Sequence, residues 1–338
     1  MASAVGFHGE CFVNLFLAML LYSVALCTYN GSKYIEAQLN SIIQQSVPPS
    51  QIIVSDDGSS DDTLDIVESM LSNCKCRYSI LINNTNHGVT SNFKNAIDNC
   101  DCPIIFTSDQ DDVWLTNKAE TILTMFEEHS DARLVFSNGE LVDKDLKDLG
   151  CSLWKSVGIT HSMLYQCNWF QYLLRTNLVT GAAMAFRKDF YDSIETIPSV
   201  WIHDGWLAWA ALATNGLYPC SAKLFLYRQH VDNAIGASCN VRGKIEKWLS
   251  NFEKTTSNRS IRYDRFEYVK KCFGKDFSKS QKSELDKCIY FWKTLSETDN
   301  YNFFKSVRVM FVFYLQGLYH KYYIGFRGLV RDVFLLFR

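Results

Sequence analysis

The chain has 338 residues, of which 47% are apolar and 21% charged, with a formal net charge of -2. That length and apolar share exclude a disordered chain and leave room for one large α/β domain or two smaller ones. The near-neutral charge excludes a general attraction to nucleic acid, and no nucleic-acid partner is expected.

The first apolar stretch, CFVNLFLAMLLYSVALC at residues 11–27, could serve as a signal peptide or a short anchor. Residues 1–10 contain no Lys or Arg, however, so the positive n-region of a signal peptide is missing. The second half of the stretch reads as a buried strand, which leaves residues 1–22 as an irregular or mis-started extension. From Ser23 onward, strand-like and helix-like segments alternate. SVALCTYN ends in the turn signal Asn30-Gly31, and Tyr34, Ile35, Leu39, Ile42 and Ile43 recur at helical spacing until Pro48-Pro49. QIIVSDDGSS, RYSILINN and PIIFTSD read as three further strands, with helices between them over DDTLDIVESML and SNFKNAIDNC. ARLVFSNGELVD is another strand, and LVTGAAMAFRKDF a strand interrupted at Gly181. WIHDGWLAWAALATNG reads as helical after Asp204, AKLFLYRQHVDNAIG as strand and turn, and the residues beyond about 240 as charged helices.

Such alternation implies parallel βαβ units, in which ligands bind beyond the carboxyl ends of the strands. That rule gathers Thr28-Tyr29-Asn30, Asp56-Asp57 and Asp109-Gln110-Asp111 on one rim. Two carboxylates at i and i+2 leaving a strand can hold a hard cation such as Mg²⁺, although an acidic turn can equally be solvated. Asp56 or Asp57 can accept from a base or a ribose, or can cap the next helix. Neither G-x-G-x-x-G nor G-x-x-x-x-G-K-[ST] occurs, which leaves a metal as the agent that neutralises a diphosphate. The 12 cysteines are scattered from Cys11 to Cys288. Their Cys-x-Cys pairs are too tight for a zinc knuckle, so they read as buried free thiols of a reducing cytoplasm.

ALCTYNG, QIIVSDDGSSDDT, NHGVTSNFKNAI and IIFTSDQDDVW together resemble the inverting glycosyltransferases of family 2, which have the GT-A fold. IHDGWLAWAAL and LYRQHVDNAIG are similar, more narrowly, to the bacterial rhamnosyltransferase branch. The resemblance implies a mixed, mainly parallel sheet over residues 23–236, followed by a helical C-terminal region at 237–338 that could associate with a membrane. It implies that Thr28, Tyr29, Asn30, Asp57, Asp109 and Arg228 bind the nucleotide sugar, and that Asp111 and His230 hold Mg²⁺ or Mn²⁺. Asp204 would be the general base, in an HDG where the family more often has Glu before the Asp, and Gly181 and Trp206 would lie on the acceptor side.

The implied reaction moves one sugar, with rhamnose from dTDP-rhamnose favoured, from a nucleoside diphosphate donor to a saccharide or polyprenyl-linked glycan. The setting would be cell-surface polysaccharide synthesis in a bacterial cytoplasm. Loss of the Q-x-x-R-W signature argues against processive synthesis. A nucleotidyltransferase-like enzyme or a catalytically silent sugar-binding protein are the rival readings. The tail from Phe303 to Arg338 mixes aromatic residues with Lys305, Arg308, Lys321, Arg327 and Arg331, a composition suited to the anionic inner face of the plasma membrane.

Overall fold

The computed structural model describes residues 21–83, 88–159, 168–230 and 255–337. The N-terminal extension, apart from its last two residues, and the segment VDNAIG after His230 therefore lie outside the described residues. Nine strands form one sheet in the order β3-β2-β1-β4-β8-β6-β9-β5, with β7 paired to β6. They are β1 (Tyr22–Thr28), β2 (Gln51–Asp56), β3 (Arg77–Ile82), β4 (Ile104–Asp109), β5 (Val113–Trp114), β6 (Leu134–Val142), β7 (Asp148–Ser152), β8 (Met184–Arg187) and β9 (Leu217–Arg228). β1 to β4 run parallel, β8 is antiparallel to both β4 and β6, and β6 and β9 are again parallel. The sheet is thus mixed and mainly parallel in its first half, as expected.

Four helices serve the first half: α1 (Ile35–Ile43), α2 (Thr63–Leu71), α3 (Val89–Asp98) and α4 (Lys118–Glu128). Each presents an apolar stripe at helical spacing to the sheet; Ile35, Leu39 and Ile42 of α1, for example, are fully buried. Short helices follow at α5 (Leu153–Val157), α6 (Trp169–Leu173) and α7 (Lys188–Asp192), and then α8 (His203–Ala213). The stretch around Gly181 is a 3-10 turn at Gly181–Ala183 that leads directly into β8, rather than an interrupted strand.

α9 (Thr255–Phe273), α10 (Lys279–Glu297), α11 (Phe303–Leu315), α12 (Leu318–Tyr322) and α13 (Phe326–Phe334) complete the chain. α8 is apolar on every side, and ten of its eleven residues are buried, because it is sandwiched between the sheet and α9. Phe266 and Phe277 meet Trp209 edge-on at 6.2 and 6.1 Å, so the C-terminal helices share one aromatic core with the sheet. A buried ion pair between Arg259 and Asp332 (2.8 Å) ties α9 to α13. No helix among the described residues is long and apolar enough to cross a membrane. Eight described cysteines are free thiols, as expected, but Cys272 is exposed and Cys151 is disulfide-bonded. The uniform free-thiol expectation therefore fails at Cys151.

Candidate functional site

The register of the parallel strands builds the rim. Thr28 pairs with Asp56 and Cys27 with Asp109, so the ends of β1, β2 and β4 finish level with one another. Asp56 points inward: its carboxylate accepts from Thr28 Oγ1 (2.6 Å), Gly58 N (3.0 Å) and Ser59 N (2.6 Å). It organises the turn, which leaves Asp57 as the outward-facing acid, held by Asn83 Nδ2 (3.0 Å) and Gly88 N (2.8 Å). Thr28 is likewise committed to the turn through its hydroxyl.

Asn30 adopts a left-handed φ of 46°, and its Oδ1 accepts from Ser60 N at 2.8 Å. Asn tolerates that conformation better than most side chains, so its role here is to shape the loop. Tyr29 is 57% exposed at the same loop. Gln110 explains the residue between the two acids of the DQD. Its amide accepts from Tyr29 N (2.8 Å) and donates to Tyr29 O (2.9 Å), locking the first loop to the aspartate loop. Gly31 lies directly under that amide, where any Cβ would collide with it.

The aspartate cluster is strongly charged for its surroundings. Burial, then the neighbouring Asp111 and Asp204 carboxylates, push the Asp109 carboxyl up to about 7. Asp112 is buried and raised for the same first reason; one oxygen accepts from Arg228 N (3.1 Å) while its Oδ2 has no partner. Lys118 answers this charge from below. It is buried, its ammonium donates to Ala182 O (2.8 Å) and sits over the Trp114 and Phe225 rings, and burial brings its pKa down to about 7. In sequence Lys118 looks like an ordinary first-turn helix residue.

The fold brings His230 to Asp111 across 119 positions, with Nε2 2.8 Å from Oδ2. A carboxylate oxygen and an imidazole nitrogen side by side are donor types that a divalent cation takes. No cluster of three or more His, Cys, Asp or Glu side chains able to hold a metal is found among the described residues. An ion here would have to complete its shell with water and substrate phosphate, as Mg²⁺ commonly does.

Arg228 is brought to the same place but is spent on structure. Its Nε donates to Asp111 O (2.7 Å), its Nη1 to Lys144 O (2.7 Å), and its guanidinium lies 4.7 Å from the Tyr34 ring centre. It is 4% exposed and clamps the aspartate loop to the turn after β6; this corrects the expectation of an arginine reaching out to the diphosphate.

Asp204 starts α8 on the opposite side of the opening. It accepts from Asn177 Nδ2 (2.9 Å), Gly181 N (3.2 Å) and Gly205 N. Burial outweighs these donors and raises its carboxyl to about 6. Gly181 lies beside it, with its Cα packed so close to the His203 ring that a Cβ would lie 2.9 Å from Nε2. His203 stacks on Phe93 at 4.1 Å, and burial holds its pKa near 3, so it stays neutral and serves packing. Trp206, expected on the acceptor side, has no exposed face to offer a ligand. It is 2% exposed, packed against Phe273 (4.8 Å) and Trp201 (6.1 Å), because that face of α8 turns toward α9. Asn177, Gln110 and Lys118 were missed from the sequence, since nothing local marks them.

Three comparisons bear on this arrangement. The model of the family described as Glycosyl transferase family 2 matches residues 23–192. The chain is 27% identical over 239 residues to the dTDP-rhamnosyl transferase RfbG of Shigella flexneri, covering 66% of this chain and 77% of that one. Among solved structures, Staphylococcus aureus TarS 1-349 in complex with UDP-GlcNAc superposes with a TM-score of 0.56 at 17% identity, covering 87% of this chain and 80% of that one. The mannosyltransferase PcManGT from Pyrobaculum calidifontis in complex with GDP-Man and Mn²⁺ gives 0.53 at 14% identity, covering 94% and 87%. These likenesses establish the fold as GT-A. The family match runs from β1 through α7, taking in every strand that ends on the acidic rim and stopping short of Asp204 and His230. The chain belongs to glycosyl transferase family 2.

Proposed function

We propose that the chain is an inverting glycosyltransferase that moves a single sugar from a nucleoside diphosphate donor to a saccharide or polyprenyl-linked glycan acceptor in cell-surface polysaccharide synthesis. The observation that carries this reading is the Asp204 carboxylate, held at the start of α8 and close enough to Asp109 to raise its pKa. Asp204 takes the proton of the acceptor hydroxyl as that oxygen bonds to the anomeric carbon and the bond to the diphosphate breaks. Tyr29 and Asp57 face the nucleotide, with Thr28 and Asn30 shaping their loop, and Asp109 faces the donor ribose. Asp111 and His230 would hold Mg²⁺ or Mn²⁺, which supplies positive charge at the leaving diphosphate when bound.

The favoured donor is dTDP-rhamnose, supported by the likeness to the Shigella enzyme. A panel of nucleotide sugars offered to the purified chain with Mn²⁺ tests this by release of free nucleoside diphosphate. Release from dTDP-rhamnose above the other donors is expected. Binding of none of them would sink the transferase reading in favour of a silent sugar-binding protein.

The reading includes a cytoplasmic location against the inner face of a bacterial plasma membrane. Along α11, Phe304, Arg308, Phe311 and Leu315 form one exposed stripe, opposite the buried Ser306, Met310 and Phe313. Phe304 is 84% exposed and Leu315 69%, a combination of apolar and cationic groups suited to an anionic bilayer. Full-length protein should sediment with vesicles containing phosphatidylglycerol, and the double variant Phe304→Ser, Leu315→Ser should stay in solution. Equal sedimentation of the two would remove this stripe from the proposal.

A further inference from the structure

Beside Asp204 lies a cavity of about 230 Å³. Its walls come from the segment after α6 (Arg175, Thr176, Asn177), from α8 and the turn leading into it (Trp201, Gly205, Trp209) and from α9 (Arg262, Arg265). The cavity touches the proposed base through two of these residues. Asn177 Nδ2 donates to Asp204 Oδ1, and Gly205 follows Asp204 directly, its Cα so close to the Trp201 ring that a Cβ would lie 3.1 Å from it.

Three guanidinium groups line one small space. Arg265 donates Nε to Val200 O and lies over Trp201, and Arg175 donates Nε to Tyr323 O (2.9 Å). Each is fixed by its Nε, which leaves the terminal nitrogens for another partner. Arg262 lies over the Trp292 and Tyr323 rings at 4.8 and 5.5 Å, with no hydrogen bond to any described residue. No carboxylate among the described residues forms a salt bridge with any of the three. Neighbouring arginines in a partly desolvated pocket are costly unless an anion joins them: burial, and then the adjacent Arg262, lower the Arg265 pKa against the opposing pull of Asp204. The planar guanidinium fork matches phosphate and carboxylate oxygens.

Resting on the glycosyltransferase reading, we propose that this cavity binds an anionic group, phosphate or carboxylate, carried by the acceptor, with Arg262 as its main ligand. The anion then anchors the acceptor so that its attacking hydroxyl comes to Asp204. The cavity is smaller than the roughly 300–1,000 Å³ of a site for a drug-sized ligand, which suits one charged group rather than a whole oligosaccharide. The C-terminal helices thereby contribute specificity as well as packing, since two of the three arginines belong to α9.

Full-length protein is titrated calorimetrically with inorganic phosphate in EDTA, so that no divalent ion draws phosphate to the aspartate cluster. Saturable binding is expected, weakened at least about tenfold in Arg262→Gln, the loss of one charged hydrogen-bonding partner. Thr176→Glu, on the exposed segment at the cavity mouth, should abolish binding through charge repulsion without disturbing the core, and covers the case in which Arg262→Gln fails to fold. Thr176→Glu should hydrolyse the donor slowly at the wild-type rate, because Thr176 is neither on the donor side nor a ligand of the anion. Glucose 1-phosphate, glucuronate and glucose then separate the sources of the charge: one of the first two should bind and glucose should not.

No phosphate binding by the wild type, or equal binding by the wild type and Thr176→Glu, overturns the inference even if donor turnover is normal. Phosphate binding that Thr176→Glu abolishes, in a protein that binds no nucleotide sugar, overturns the assignment to an acceptor and locates the failure in the transferase reading.

Discussion

Asp204→Asn should lower the transfer rate by about 10²–10⁴-fold, the usual contribution of a positioned general base, while making the protein more stable. Both effects have one cause. Burial raises the Asp204 carboxyl from 3.8 to about 6 despite donors from Gly205, Gly181 and Asn177. Its pKa is higher folded than unfolded, so the native state binds the extra proton between about pH 4 and pH 6. Stability is therefore lost as pH rises through that window, and the penalty is complete above about pH 6.

A displacement of that size corresponds to about 3 kcal/mol at neutral pH. Asparagine can accept from only some of the same donors, so a net gain of about 1–2 kcal/mol is expected at pH 7, vanishing below about pH 4. Urea unfolding at pH 7 and pH 4 reads the stability, and the pH profile of kcat/KM reads the base. Wild-type activity should fall on the acid side with a midpoint near 6, since only the carboxylate can take the acceptor proton. A variant that is both unstable and active would refute the assignment of Asp204.

Asp111→Ala should remove metal-stimulated turnover, with a fall of about 10²–10³-fold at saturating Mn²⁺, several kcal/mol being a typical electrostatic contribution of a bound cation. EDTA should bring the wild type to the same floor. His230→Ala should act more mildly and in a distinguishable way. His230 Nε2 lies 2.8 Å from Asp111 Oδ2, so its loss should raise the Mn²⁺ concentration needed for half-maximal activity more than it lowers the plateau. Activity measured against Mn²⁺ concentration separates the two. An Asp111→Ala enzyme that still responds to Mn²⁺ like the wild type would move the cation elsewhere in the cluster, with Asp112 Oδ2, buried and unpartnered, as the next oxygen to test.

The position of these groups depends on contacts that differ greatly in range. The acidic rim was legible because apolar runs such as QIIVS and PIIFTS can only be buried strands of a parallel sheet, and such sheets present their carboxyl ends to ligands. The place of Tyr29, Asp57 and Asp109 on that rim follows from local pattern alone, whereas the choice of Asp57 over Asp56 rests on the family resemblance. Gly181 and Asp204 were legible only through motif resemblance, since a glycine and an acid before a helix have several ordinary uses.

What the sequence determined by itself was the alternation of elements, hence the sheet, the rim and the acids on it, because strand and helix periodicities are local properties. The tertiary structure alone decided which side chains are spent on the fold and which remain for chemistry. Arg228 reads as a diphosphate ligand but is consumed by the carbonyls of Asp111 and Lys144. α8 is apolar all round, so periodicity could not say that Trp206 turns to the core while Trp209 reaches the cavity. Lys118 and Arg262 gain their meaning from neighbours distant in the chain, through burial beneath the aspartates and closure against α8. Burial and long-range electrostatics depend on the assembled surroundings of a group, and no local pattern encodes them.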